Sequence, residues 1–239
     1  MCALASLLWI KPVVTIAFFT VGFLALYKAP NYSLNRLFAL SFFLMGISWI
    51  FDTLKDILWV SYFVIVLCRS ISVITGIFST LCFLLTGLYV RYGIHRAFTW
   101  WVLFIHLITG IILSFVSIYD QFILPTPDPI KLTVIVTGLA GSAALFIVPS
   151  ALSIASVIIL YSASKQLEDQ SKKRSAKLLA IGIFVLTIGT SFYAVENFYA
   201  PIDPMRIYVT IIALVLYLFG VLISLLSFYP RLRHPPSIM

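Results

Sequence analysis

Seven apolar runs, each about as long as a bilayer is thick, leave this chain few ways to fold. A membrane-spanning helix needs roughly 20 apolar residues at about 1.5 Å rise per residue. Runs meeting that criterion cover 7–27, 36–54, 62–90, 97–118, 132–163, 177–198 and 206–229. The chain is 62% hydrophobic and 10% charged, whereas soluble domains are nearer about 45–50% apolar and about 25% charged. A bilayer is the solvent that such a surface requires. The spacing therefore predicts an all-α integral membrane protein, a seven-helix transmembrane bundle forming a single domain over 1–239.

Charge sets the direction of the spans. Lys28 and Arg36 flank the first loop, and Arg91 and Arg96 the third. The fifth loop, KQLEDQSKKRSAK (165–177), carries five basic and two acidic residues, and Arg231 and Arg233 follow the last span. The other loops hold Asp52, Asp56, Asp120, Asp128, Glu196 and Asp203. Basic loops stay in the cytoplasm, so the N-terminus is expected outside, the C-terminus inside, and the cell membrane is the expected location. The same positions explain the net charge of +8 without nucleic acid. The N-terminus lacks a basic leader and a small-residue cleavage motif and reads as a retained span. Tyr27, Tyr89, Trp100, Trp101, Tyr161 and Tyr229 fall where headgroup-level aromatic belts belong. The sequon at Asn31 lies in a loop expected to be cytoplasmic.

The chain also echoes itself. LWIKP (8–12) matches LFIVP (145–149), RLFALSFFLMGISWIF (36–51) matches KLLAIGIFVLTIGTSF (177–192), and LYVR (88–91) matches FYPR (228–231). Subtracting positions gives offsets of 137 (149 − 12), 141 (177 − 36) and 140 (231 − 91). Two parallel three-helix repeats follow, one over 7–91 and one over 132–231, joined by a linker helix at 97–118. An odd linker returns the second copy in the first one's orientation, an arrangement known in transporters with a substrate site between the copies.

This three-plus-one-plus-three pattern with an outside N-terminus resembles the seven-helix sensor domains that precede histidine kinases, and more distantly the SWEET and PQ-loop facilitators. The resemblance covers the whole chain and is one of topology. PQ-loop proteins carry Pro-Gln near the cytoplasmic end of the first helix of each repeat. Here Val13 and Ser150 follow the prolines, which lie toward the outside. The last span, IYVTIIALVLYLFGVLISLLSFY, has no lysine for a retinal Schiff base. The resemblance implies a receptor-like protein that binds a small ligand from the outer side and signals to a separate cytoplasmic partner. The alternatives are a facilitator of small solutes and a non-catalytic subunit of a membrane complex.

Ionisable side chains within a span cost about 2.5 kcal/mol or more at its centre, so each is a candidate. Asp52 lies 16 residues beyond Arg36, roughly 24 Å up its helix. By the same rise Lys11 and Glu196 also approach the outer interface, where a solvated rim is the ordinary reading. Ser41, Ser48, Asp52 and Lys55 fall on one face of the second span. Their counterparts at an offset of 141 are Gly182, Gly189, Tyr193 and Glu196. Asp52, Lys55, Tyr193 and Glu196 are therefore expected to line an outward-facing cavity. Arg69 is expected within reach and His106, ten residues past Arg96 and so roughly 15 Å deep, at its floor. A small zwitterionic or anionic ligand suits that charge set.

Beyond the site, Arg69, Gly76, Thr80 and Gly87 form a small-residue stripe for close helix packing within the bundle or between copies. The loop 165–177 is the expected docking surface for an effector or anionic lipid. Cys2, Cys68 and Cys82 have no paired spacing, and His95, His106 and His234 are too scattered for a metal. No catalytic motif is present, and neither an enzyme, a metal nor a cofactor is expected.

Overall fold

The computed structural model describes residues 2–28, 30–57, 62–122, 139–196 and 204–227. Every regular element among them is helical: α1 (Cys2–Lys28), α2 (Ser33–Ile57), α3 (Tyr62–Tyr92), the short α4 (Ile94–Ala97), α5 (Trp100–Phe122), α6 (Leu139–Ser142), a π-helical turn (Ala143–Ile147), α7 (Val148–Lys165), α8 (Gln170–Glu196) and α9 (Pro204–Leu226). Six helical stretches are long and apolar enough to cross a membrane, and Lys11–Tyr27 of α1 forms a shorter apolar stretch. The chain is thus built as a multi-pass membrane protein.

The helices outrun the apolar runs that mark them, because polarity shows where lipid ends rather than where hydrogen bonding stops. α8 is the clearest case. Its first turns belong to the basic stretch expected to be a loop over 165–177. Asp169 starts the helix early, its Oδ1 accepting the backbone N–H groups of Ser171 at 2.8 Å and Lys172 at 3.3 Å. The connection between α7 and α8 is therefore only residues 166–169. In the fifth run, residues 132–138 lie outside the described residues.

At the end of α3, Gly93 takes a φ of 81°, a left-handed conformation that side chains disfavour. A Cβ there would touch nothing within 4 Å, so the conformation and not space selects glycine.

Six helices close a ring. α1 packs on α2 and α9, α2 on α3, α3 on α7, α7 on α8, and α8 on α9. α5 stays outside that ring, against α3 and the π-turn. Its Trp101, Phe104, Ile105, Ile112 and Phe115 are exposed, as a lipid-facing helix requires. Inside the ring a continuous core joins Phe18, Phe42, Phe83, Leu160, Ile183 and Leu214. Phe42 meets Phe83 edge-on at 5.3 Å. Apolar contact gains little over lipid tails here, so close packing and interhelical hydrogen bonds must hold the ring. Two crossings show both. Ser79 Oγ donates to the Ser41 carbonyl at 2.7 Å between α2 and α3. Between α8 and α9, a Cβ on Gly182 would lie 2.9 Å from the Gly220 carbonyl, and one on Gly220 3.0 Å from the Gly182 carbonyl.

Candidate functional site

At one end of the ring, α2 delivers a carboxylate into the interior. Asp52 is 4% exposed and accepts four hydrogen bonds. Lys11 Nζ donates to Oδ2 at 2.7 Å and Tyr193 OH to the same oxygen at 2.8 Å. Lys55 Nζ donates to Oδ1 at 3.1 Å and an Arg69 guanidinium nitrogen at 3.0 Å. One side chain thereby ties α1, α2, α3 and α8. Charge-assisted bonds of this kind are roughly twice as strong as neutral ones. They offset the desolvation that burial imposes on each ion.

An aromatic shelf holds the cluster in place. Trp49, one turn before Asp52, packs against the Tyr193 ring at 5.6 Å and edge-on against Tyr217 at 4.9 Å. Thr190 Oγ1 and Tyr217 OH are hydrogen-bonded at 2.9 Å. Lys11 Nζ lies 6.0 Å from the centre of the Tyr193 ring, at the outer limit of a cation–π contact. Lys55 is the most open of the charged members, its side chain 17% exposed against 6–8% for Lys11, Asp52 and Arg69.

Beside the cluster lies a cavity of about 90 Å³ whose lining includes Ser48, Asp52, Arg69, Pro149, Thr190 and Tyr193. That is room for about three water-sized groups. Its wall includes Leu145 and Phe146 of the π-turn, and Pro149 explains the turn. A proline at that position has no N–H for the Leu145 carbonyl, and its ring would clash with that carbonyl in a regular α-helix. The wider π-turn relieves the clash and leaves irregular backbone facing the cavity. Such turns are frequent at functional sites.

The structure brings together four of the expected residues: Asp52, Lys55, Arg69 and Tyr193. The fifth, Glu196, ends α8 one turn beyond Tyr193, and its side chain lies outside the described residues. The sixth, His106, does not join. It sits on α5, outside the ring, with Nδ1 2.7 Å from the Val102 carbonyl and Nε2 buried without a partner among the described residues. Depth had placed it at the cavity floor, but helix rise fixes height and not the direction a side chain faces. Lys11 is the residue that the rim reading missed. It is 6% exposed and turned inward to Asp52. Its position one residue before Pro12, at the same depth as Asp52, was the available signal. No group of three or more metal-ligating side chains occurs among the described residues. No protein-family model, curated protein or solved structure matches the chain.

Proposed function

We propose that this chain is a seven-helix receptor of the cell membrane, which takes a small anionic or zwitterionic ligand at the Asp52 end. It would signal to a separate partner at the opposite end. The observation that supports this best is the convergence of Lys11, Lys55, Arg69 and Tyr193 on one carboxylate beside a cavity. Donors arranged to hold the Asp52 carboxylate are equally arranged to hold a ligand carboxylate. A ligand that competes for them loosens Asp52 and, with it, the tie between four helices. In this reading the Asp52 end faces outward, and residues 28–36, 91–96, 165–177 and 230–239 are cytoplasmic.

The bundle is read as two parallel three-helix repeats, and the packing supports this. Shifting the ring order by three pairs α1 with α7, α2 with α8 and α3 with α9 and leaves the neighbours unchanged, as a pair of repeats requires. The Ser41–Ser79 and Gly182–Gly220 crossings are related by one offset, since 182 − 41 and 220 − 79 both equal 141. A second pair behaves alike. Ser48 Oγ donates to the Ser72 carbonyl at 2.8 Å, and a Cβ on Gly189 would lie 3.3 Å from the Ala213 carbonyl. Asp52 and Tyr193, also 141 apart, bond to each other directly, as counterparts near an axis would.

A second reading, the facilitator, draws on one observation: a further cavity lies at the other end, beyond the packed core. Two cavities separated by a closed middle also suit alternating access. The test for both is a thermal-shift panel of acetate, glycine and other small carboxylates on the purified protein, with uptake of each hit measured in proteoliposomes. A saturable shift lost in Arg69→Gln, without uptake, is expected. Saturable uptake selects the facilitator, and the absence of any shift marks the cluster as a structural staple.

A further inference from the structure

The larger cavity lies at the end remote from Asp52. It has a volume of about 390 Å³ and is bounded by the start of α2, the end of α3, the short α4 and the start of α8. Sites for small molecules occupy about 300–1,000 Å³, so this one is of binding size. It has room for roughly thirteen groups the size of a water or a methylene. Most of its wall is apolar, with Phe38, Val90, Leu160 and Leu179 forming the interior.

Of the polar lining side chains, Asn35, Thr86 and Ser227 already donate to the backbone carbonyls of Ala25, Cys82 and Ser224. Lys172 is the one charged side chain among the described lining residues, and it belongs to the first turn of α8. Asp169 caps that turn and its carboxylate lies 3.9 Å from Lys172 Nζ, an exposed and weak pairing, so a bound anion shares Lys172 with Asp169 rather than meeting a bare helix end. Ser175 also lines the cavity, one turn further along, and its Oγ is buried with no hydrogen-bond partner among the described residues. Tyr32 and Tyr89 stand together on the other side, their rings edge-on at 6.3 Å.

We infer that this cavity binds a single-chain amphiphile with an anionic head, of the fatty-acid class. Its chain fills the apolar interior and its carboxylate lies against Lys172 and the start of α8. A soluble polar ligand would leave its hydrogen-bonding groups facing apolar walls, which costs free energy. A cavity of about 390 Å³ suits one chain better than two. Lys172 lies five residues before the apolar run that starts at Lys177, roughly 7.5 Å along the helix, which would set it in the headgroup layer, where a fatty acid dissolved in the bilayer carries its carboxylate. The inference does not depend on the Asp52 site.

The experiment uses the full chain in nanodiscs of neutral phosphatidylcholine, with dodecanoate as the probe and dodecanol and dodecyltrimethylammonium as controls. Binding is counted by native mass spectrometry and titrated by thermal shift. Dodecanoate is expected to bind saturably at one site and the two controls much more weakly. Lys172→Gln, at an exposed position, is expected to weaken dodecanoate about fivefold, the upper range for a solvent-accessible ion pair. Ala176→Trp, which fills the cavity, is expected to abolish binding while the unliganded protein melts as before. If Ala176→Trp fails to fold, Lys172→Gln alone decides. Equal binding of all three head groups, dodecanoate binding indifferent to Lys172→Gln, or preference for a two-chain anionic phospholipid would each overturn the inference.

Discussion

Replacing Asp52 by asparagine tests whether the four-helix tie is as buried as its geometry states. The amide keeps the shape and one acceptor oxygen but removes the charge, leaving Lys11 and Arg69, 6% and 7% exposed, around a neutral group. Removing one partner of a buried ion pair costs about 3–5 kcal/mol, because the remaining charge stays desolvated. For a chain of this size each kcal/mol moves the melting temperature by about 2–4 °C, so a fall of about 10 °C is expected in detergent by scanning fluorimetry. Tyr193→Phe loses one hydrogen bond to a charged group, worth about 1.5–3 kcal/mol. Lys55→Gln, with a side chain 17% exposed, should cost about 1 kcal/mol or less. Asp52→Asn combined with Lys11→Met should recover part of the loss, since acid and base leave together. A shift under about 1 °C for Asp52→Asn would refute the reasoning, because it would mean that water already screens the carboxylate.

Two further outcomes test orientation and packing. Ser171→Cys, on the exposed first turn of α8, should resist a membrane-impermeant maleimide in intact cells and react after permeabilisation. Labelling from outside would invert the topology. Gly182→Ala should destabilise by about 1–3 kcal/mol in the same melting assay. Its new methyl meets the Gly220 carbonyl and Ser224 backbone N at 2.9 and 3.0 Å, and backbone cannot swing aside. That clash outweighs the gain of roughly 1 kcal/mol in helix propensity.

The sequence discloses height along the membrane normal far better than direction around a helix. Six long apolar helices were legible because length and apolar composition are read directly along the chain. Asp52, Lys55, Arg69 and Tyr193 were legible because two stripes with one periodicity pointed them inward together. Lys11 and His106 show the limit. Helix rise placed both along their helices, yet Lys11 turns to Asp52, 41 residues away, while His106 rides on a helix outside the ring. The polar face of α5, His106 with Ser114 and Ser117, shows which side packs inward but not that the helix packs outside the ring. The early start of α8 was masked by QSKKRSA, a polar stretch that is helical in water once Asp169 caps it. The π-turn needed the cavity wall beside Pro149 to become visible.

The placement of the polar tie has a mechanical consequence for either functional reading. α2 and α8 stand across the ring from each other, and the Asp52–Tyr193 hydrogen bond joins them near one end. Near their other ends the same two helices border the large cavity, through Asn35 and Phe38 on α2 and Lys172, Ser175 and Leu179 on α8. Between the two ends, Phe42 and Ile183 are fully packed in the core. Asn35 lies 17 residues before Asp52, roughly 25 Å along a rigid helix. A ligand that freed Asp52 from Tyr193 would therefore be expected to change the splay of α2 and α8 where they flank the far cavity. By reciprocity, an amphiphile that wedges those ends apart changes the affinity of the Asp52 end by the same factor. Coupling of this kind would need no continuous polar path through the centre, since α2 and α8 each reach from the Asp52–Tyr193 bond to the far cavity.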